Sequence, residues 1–496
     1  MANPHVDVLI IGAGVSGIGT ACHLQRGCPD KSFAILERRD DIGGTWDLFR
    51  YPGIRSDSDM YTFGFEFRPW KEPKILADGP SIKSYVQATA DEHDVHRHIN
   101  FGLKVESAEW SSADACWTVT AVREATGETE TFTGSFLMGA TGYYRYDEGH
   151  KPDFPGEDKF KGTVIHPQHW PENLDYAGKK VVVIGSGATA VTLVPAMAGE
   201  AEKVTMLQRS PGYIISLPAV DKISEALYKV LPDDLVYRMT RARNVAMQRV
   251  IYNTSQRFPG FMKWLLQRGA RRALGPDFDM RHFEPDYNPW DERMCAVPSG
   301  DLFKVLRRGQ AEVVTDHIDS FTENGIRLKS GQELEADIII SATGLDVRLL
   351  GDMSLAVDGE AVDISERVLY KATMLEGVPN AAIIFGYINA SWTLKVDIVG
   401  QYLCRLLKHM DEQGVDIAVP RDHEDCREEG SALDALQSGY IQRVAHKLPR
   451  QGSKAPWRMT QDYKTDRPIL CKEPVDDGYL EFERAADHRV KASRAA

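Results

Sequence analysis

The stretch Val6-Asp-Val-Leu-Ile-Ile-Gly12-Ala-Gly14-Val-Ser16-Gly17 decides the fold. An apolar, β-branched run ends at three glycines spaced G-x-G-x-x-G. A segment rich in small residues follows, then a second short apolar run, Phe33-Ala-Ile-Leu-Glu37. That order reads as strand, tight turn, helix and parallel strand. Gly12, Gly14 and Gly17 let the chain turn sharply, bring backbone against a pyrophosphate and seat the helix on the sheet. The first N–H groups of the helix, with their positive partial charge, then face the phosphates. Glu37 lies twenty residues past Gly17 at the end of the next strand, where a carboxylate can accept hydrogen bonds from an adenosine ribose. A purely structural glycine turn leaves Glu37 unexplained.

The pattern recurs downstream as Lys180-Val-Val-Val-Ile-Gly185-Ser186-Gly187-Ala188-Thr189-Ala190, followed by a helical segment and KVTMLQRS at 203–210. Here Ala190 replaces the third glycine, and the following strand ends in Gln208-Arg209-Ser210 instead of an acid. A guanidinium and a hydroxyl suit a 2′-phosphate, which a carboxylate would repel, so this site favours NADPH over NADH. The competing reading of Arg209 is a solvated charge at a strand end. Two more short strands, SFLMGATG at 135–142 and ADIIISATG at 336–344, end in the same tripeptide, where a chain would leave one nucleotide-binding sheet for another. The expected architecture is α/β, with two Rossmann-like dinucleotide-binding domains. The first is discontinuous, 1–143 plus 376–496. The second spans 148–342 and carries a helical insertion at about 213–292. Linkers lie at 144–160 and 345–375.

Composition narrows the function classes. A chain of 496 residues holds two to four domains at roughly 100–200 residues each. The net charge of −13 argues against nucleic acid as a partner. Seven scattered cysteines without zinc-ligand spacing fit free thiols in a reducing cytoplasm and give no metal site. No run approaches ~18 apolar residues, and the N-terminus lacks a basic export signal. Residues 222–273 stand apart, with 11 Lys/Arg against 3 Asp/Glu. The simpler reading is a solvated basic face on a lid. The alternative is a surface resting reversibly on anionic membranes, with Trp264, Leu265 and Leu266 lining a lipophilic entrance, which would put the protein at the inner face of the membrane.

Between the two glycine motifs lie Gly43-Gly44-Thr45-Trp46, then Tyr51-Pro52-Gly53-Ile-Arg55-Ser-Asp57, then Phe160-Lys-Gly162-Thr-Val-Ile-His166-Pro-Gln-His-Trp170-Pro171. These segments resemble the flavin-contacting signature and the FxGxxxHxxxW(P/D) linker fingerprint of type I Baeyer–Villiger flavoprotein monooxygenases. Within that family the chain resembles the mycobacterial ethionamide-activating and the Acinetobacter-type long-chain-alkane branches. With both nucleotide motifs and both ATG strands, the resemblance covers nearly the whole chain.

The resemblance implies FAD on the first domain and NADPH on the second, with O2 and a small lipophilic substrate. The implied reaction turns ketones into esters or lactones through a C4a-peroxyflavin, with sulfoxidation as a side activity. It implies Arg293, in Trp290-Asp-Glu-Arg293-Met-Cys295, as the catalytic cation, with Asp57 holding it over the flavin. Arginine suits this task because it keeps its proton at any working pH. The structural alternatives are an ordinary salt bridge for Arg293 and a turn-capping carboxylate for Asp57. The implied cofactor contacts also include Gly44, Thr45, Trp46, Arg55 and Val105, with Asn389 to Trp392 approaching the flavin from the second half of the split domain. Trp46 is equally a core-packing residue. His166 is either a hydrogen-bonded hinge or a satisfied structural histidine, His169 has no catalytic role, and Trp170 is a packing anchor. One position departs from the family pattern: Glu292 stands where many relatives carry a lysine that helps hold the NADP phosphate, which leaves that task to Arg209 and Ser210.

The alternatives are a flavin monooxygenase acting on sulfur, nitrogen or long-chain alkanes and, more distantly, a non-catalytic flavin- or lipid-binding protein. The latter has no need of a second nucleotide site or of Arg293. A disulfide reductase would need a cysteine pair at the flavin, and Cys22 and Cys28 fall on or just after the first helix.

Overall fold

The computed structural model describes residues 4–72, 74–433 and 438–489. Strand Val6–Ile11 lies inside a nine-stranded sheet, parallel both to Phe33–Leu36 and to Glu128–Gly139. Val8, Leu9 and Ile10 are at most 1 % exposed, so both faces of this strand are covered, as a continuous apolar run requires. The helix Val15–Gly27 covers one face, packed against the long helix Trp392–Gln413 from the far end of the chain.

Strand Glu128–Gly139 is long enough to serve two layers. Its first half pairs antiparallel with Cys116–Arg123, and its last three residues pair parallel with Ala381–Ile383. Chain from both sides of the intervening unit thus closes one sheet. The second sheet has five strands, all parallel, in the order Ala311–Thr315, Lys203–Gln208, Lys180–Ile184, Ile338–Ser341, Thr163–Ile165. Strands Ile214–Leu217 and Cys295–Pro298, which bracket the insertion, pair with each other in parallel. The insertion therefore leaves and returns at one place, and Arg293 stands at its point of return.

Two expectations change. The stretch 345–375 is more than a linker: Ser354–Val357 pairs parallel with Leu103–Ser111 and forms a hairpin with Glu360–Ala361, extending the first sheet. The insertion (helices Lys222–Leu227, Asp233–Arg257 and Pro259–Leu274) does not belong to the second unit alone. Arg241 donates to the carbonyls of Tyr61 and Gly64 and pairs with Asp397, all carried by the first. Among the described residues, no helix is long and apolar enough to cross a membrane.

Candidate active site

One continuous cleft runs between the sheets. It is lined by Gly12, Gly14, Ser16, Glu37, Gly44, Thr45, Trp46, Arg55, Asp57, Val105, Ala188, Thr189 and Arg293, each of them expected from sequence. Gly12 adopts φ +105°, and a β-carbon there would sit 2.8 Å from the Ala140 carbonyl oxygen. Gly14 and Gly44 touch backbone to backbone: a β-carbon on Gly44 would lie 3.1 Å from the Gly14 Cα. The helix that starts at Val15 has no side-chain cap on its first turn, so its N–H groups are open toward the cleft. Helices Ala188–Met197 and Trp392–Gln413 likewise begin without a side-chain cap. Three uncapped N-termini around a glycine-floored cleft fit two pyrophosphate-bearing cofactors.

Glu37 is 4 % exposed; its carboxylate accepts from the Ala13 and Arg39 N–H groups at 2.6 and 2.8 Å. Burial raises its pKa, and those two donors oppose the rise. The Tyr51–Asp57 fingerprint joins the two halves of the molecule. Tyr51 is buried against Thr189, Gly53 packs where a β-carbon would lie 2.8 Å from that of Ala196, and Arg55 donates to Asp301 at 2.7 Å and to the Val191 carbonyl. Arg293 Nη2 stands 3.2 Å from both carboxylate oxygens of Asp57, with 34 % of the Arg293 side chain still open. Asp57 lifts the guanidinium well above the usual arginine range, against the effect of burial, and the charge is permanent. Neighbouring Cys295 is a buried thiol pushed up to about 12, so it supplies no thiolate.

Other expected residues lie outside this cleft. Gly17 acts purely in packing: a β-carbon would fall 1.8 Å from the Gly12 carbonyl oxygen. Gly185, Ser186 and Gly187 form the second turn, and Ala190 is buried in the helix that follows. Arg209 and Ser210 are exposed at the end of Lys203–Gln208. Gln208 is a correction: at 1 % exposure its amide donates to the His282 carbonyl and to Thr315, so its side chain faces inward, away from a cofactor. Glu292 is half-buried near Arg209, which partly offsets the rise in its pKa from burial.

The linker residues sit at the crossing. Phe160 packs edge-on against Phe321 at 6.3 Å, Gly162 leaves room for the Asp337 carbonyl, and Trp170 leans on the second core. His166 donates from Nε2 to the Gly344 carbonyl at 3.2 Å and accepts at Nδ1 from the Gln168 N–H, which ties the linker to the last ATG strand. Burial lowers its pKa, so the folded state holds the neutral ring. Its stabilising contribution is then complete above the unfolded value of about 6.5 and is lost as pH falls below it. Thermal unfolding measured between about pH 5 and 8 should show a shallower acid-side fall for His166→Gln than for the parent protein.

Sequence reading missed the tyrosines of an aromatic shell around Trp392. Tyr143 and Tyr144 share a hydrogen bond of 2.7 Å, Tyr143 stacks on Trp392 at 5.1 Å, and Tyr440 approaches Arg293. Trp392 Nε1 donates to Ser16 at 2.8 Å, joining the long helix to the first glycine loop. The run Tyr143-Tyr-Arg-Tyr146, directly after the ATG that ends at Gly142, was the available signal.

Comparison with known proteins gives the family. Residues 5–412 match the flavin-binding monooxygenase-like family model. MymA of Mycobacterium tuberculosis is 59 % identical over 494 residues, covering 99 % of this chain and 100 % of the relative. The FAD-containing monooxygenase EthA of Mycolicibacterium smegmatis is 52 % identical over 499 residues, 99 % of each chain. Among solved structures, an oxidised steroid monooxygenase bound to NADP has the same fold at 22 % identity, with a TM-score of 0.77 over 97 % of this chain and 100 % of that one. The chain belongs to the flavin-binding monooxygenase-like family and is a flavin-dependent monooxygenase.

Proposed function

We propose that the protein uses FAD, NADPH and O2 to insert one oxygen atom next to the carbonyl of a lipophilic ketone. The products would be an ester or lactone, water and NADP+. The observation that carries this reading is the permanently charged Arg293, held by Asp57 in the cleft between two dinucleotide loops. Bound flavin, once reduced by NADPH, would supply the activation of O2. The chain's own residues do the rest. Gly12, Gly14 and the N-terminus of Val15–Gly27 cradle the FAD pyrophosphate, and Glu37 holds the ribose. Ala188, Thr189 and their helix N-terminus face the second pyrophosphate. Arg293 stabilises negative charge that develops on the carbonyl oxygen of the substrate. Trp46, Phe49, Phe63 and Trp392 give the cleft apolar walls suited to a lipophilic substrate and to excluding water. Ketone and thioether turnover assayed side by side tests the reading: ester should dominate, with sulfoxide as the minor product. Sulfoxide alone would assign the protein to sulfur oxidation.

In this reading Arg209 and Ser210 take the 2′-phosphate, with Glu292 close to the same guanidinium. Arg209→Ala should raise KM for NADPH by roughly tenfold, the loss of one charge-assisted phosphate contact, with little change for NADH. Steady-state kinetics with both nucleotides reads this directly.

A further inference from the structure

Among the described residues, ten large apolar side chains are conspicuously exposed, and all ten lie between Ile223 and Leu265. The helix Asp233–Arg257 mixes polar and apolar side chains on both its faces, unlike an ordinary surface helix. Beside Val236 and Tyr237, its inner face buries the polar Thr240, Arg241 and Asn244, and Asn244 and Gln248 donate to Asp59 at 2.8 and 3.0 Å. Its outer face presents Leu235, Met239 and Val250, 37 %, 48 % and 63 % exposed, at spacings that return to one side of a 3.6-residue helix. The next helix, Pro259–Leu274, adds Phe261 stacked on Trp264 at 6.0 Å, with the Arg268 guanidinium 5.4 Å from the Trp264 ring.

Charge identifies what covers this face. Within 222–273, 11 Lys/Arg stand against 3 Asp/Glu in a chain of net −13. Arg241, Arg243, Arg249 and Arg271 are paired with Asp397, Asp221, Asp462 and Glu284. Lys222, Lys229, Arg238, Arg257, Arg268 and Arg272 are exposed and have no carboxylate partner among the described residues. A two-fold contact between copies would set this basic face against itself. Anionic headgroups complement it, and long cationic side chains keep their heads at that level while apolar neighbours enter the acyl boundary.

We propose that helices 222–274 seat the protein peripherally on an anionic lipid bilayer. The same long helix packs against the segment that carries the site's arginine: Tyr252 lies edge-on to Trp290 at 5.6 Å, three residues before Arg293. A substrate dissolved in the bilayer would thus be presented close to the site.

Flotation of the full-length, FAD-loaded protein with phosphatidylglycerol–phosphatidylcholine vesicles, beside pure phosphatidylcholine vesicles, tests this independently of the reaction. The protein should float with anionic vesicles at low salt, stay behind with neutral ones, and be released by high salt. The triple variant Met239→Glu/Val250→Glu/Trp264→Glu should bind about tenfold or more weakly. A second variant, Lys222→Glu/Arg238→Glu/Arg272→Glu, keeps the apolar side chains and should lose binding to anionic vesicles as well. Both should retain their flavin and its reduction by NADPH, which separates failure of docking from failure of folding or of the proposed reaction. No enrichment on anionic vesicles overturns the proposal. So does a concentration-dependent dimer in sedimentation that the apolar variant abolishes while the parent protein fails to float, since a second copy then covers the face.

Discussion

Replacing Arg293 with alanine should lower ester formation by at least about a hundredfold, the scale seen when one preorganised donor to a developing oxyanion is removed. The variant should fold and keep its flavin, because Arg293 contributes one half-open ion pair and no core packing. Arg293→Lys should recover only part of the rate, since one ammonium cannot both contact Asp57, as Nη2 does, and supply the substrate-facing N–H groups of the other guanidinium nitrogens. Asp57→Asn should leave the cation but free its orientation, with a smaller loss, about tenfold. If Arg293 and Asp57 act as one unit, the double variant should be no worse than Arg293→Ala alone. Product formation by gas chromatography, with NADPH consumption followed in parallel, measures all four.

The second large effect is structural. Gly17→Ala adds a single methyl group, but it would fall 1.8 Å from the Gly12 carbonyl oxygen, a rigid backbone atom in the turn that faces the pyrophosphate. Helix and strand must separate or the turn must deform, at a cost on the order of 3 kcal/mol or more. The protein should purify pale, with flavin absorbance largely lost and a lowered Tm. By contrast, Gly187→Ala in the second loop meets nothing within 4 Å and should keep both fold and flavin. That pair of substitutions separates a glycine needed for close packing from one that the protein's own packing does not require.

The two sheets were legible because each announces itself in a continuous apolar strand ending in a glycine turn, a pattern few other structures share. Asp57 and Arg293, 236 residues apart, could be paired only through the family resemblance, and the structure brings them to 3.2 Å. Other features depend on contacts that sequence spacing does not carry. Ser354–Val357 is too short for an alternating pattern to stand out, and it becomes a strand because the edge of Leu103–Ser111 is there to pair with. Gln208 looked like part of the phosphate site, but its register opposite Thr315 turns the side chain inward. The segment 222–273 read most simply as a solvated basic face, and most of its cations are exposed. Arg241 turns inward instead, because the short helix Met60–Phe63 and its cap Gly64 offer carbonyls that it satisfies. Tyr440 lies almost 150 residues after Arg293, and only folding brings its ring to the guanidinium.

The most direct test of the proposed chemistry is turnover of a long-chain methyl ketone by the purified yellow protein with NADPH under 18O2. One 18O atom in the ester for each NADPH oxidised, with little hydrogen peroxide, is the expected result. Oxidation of NADPH with all the label released as peroxide, and the ketone untouched, would contradict a role in ketone oxygenation while leaving the fold and family assignment intact.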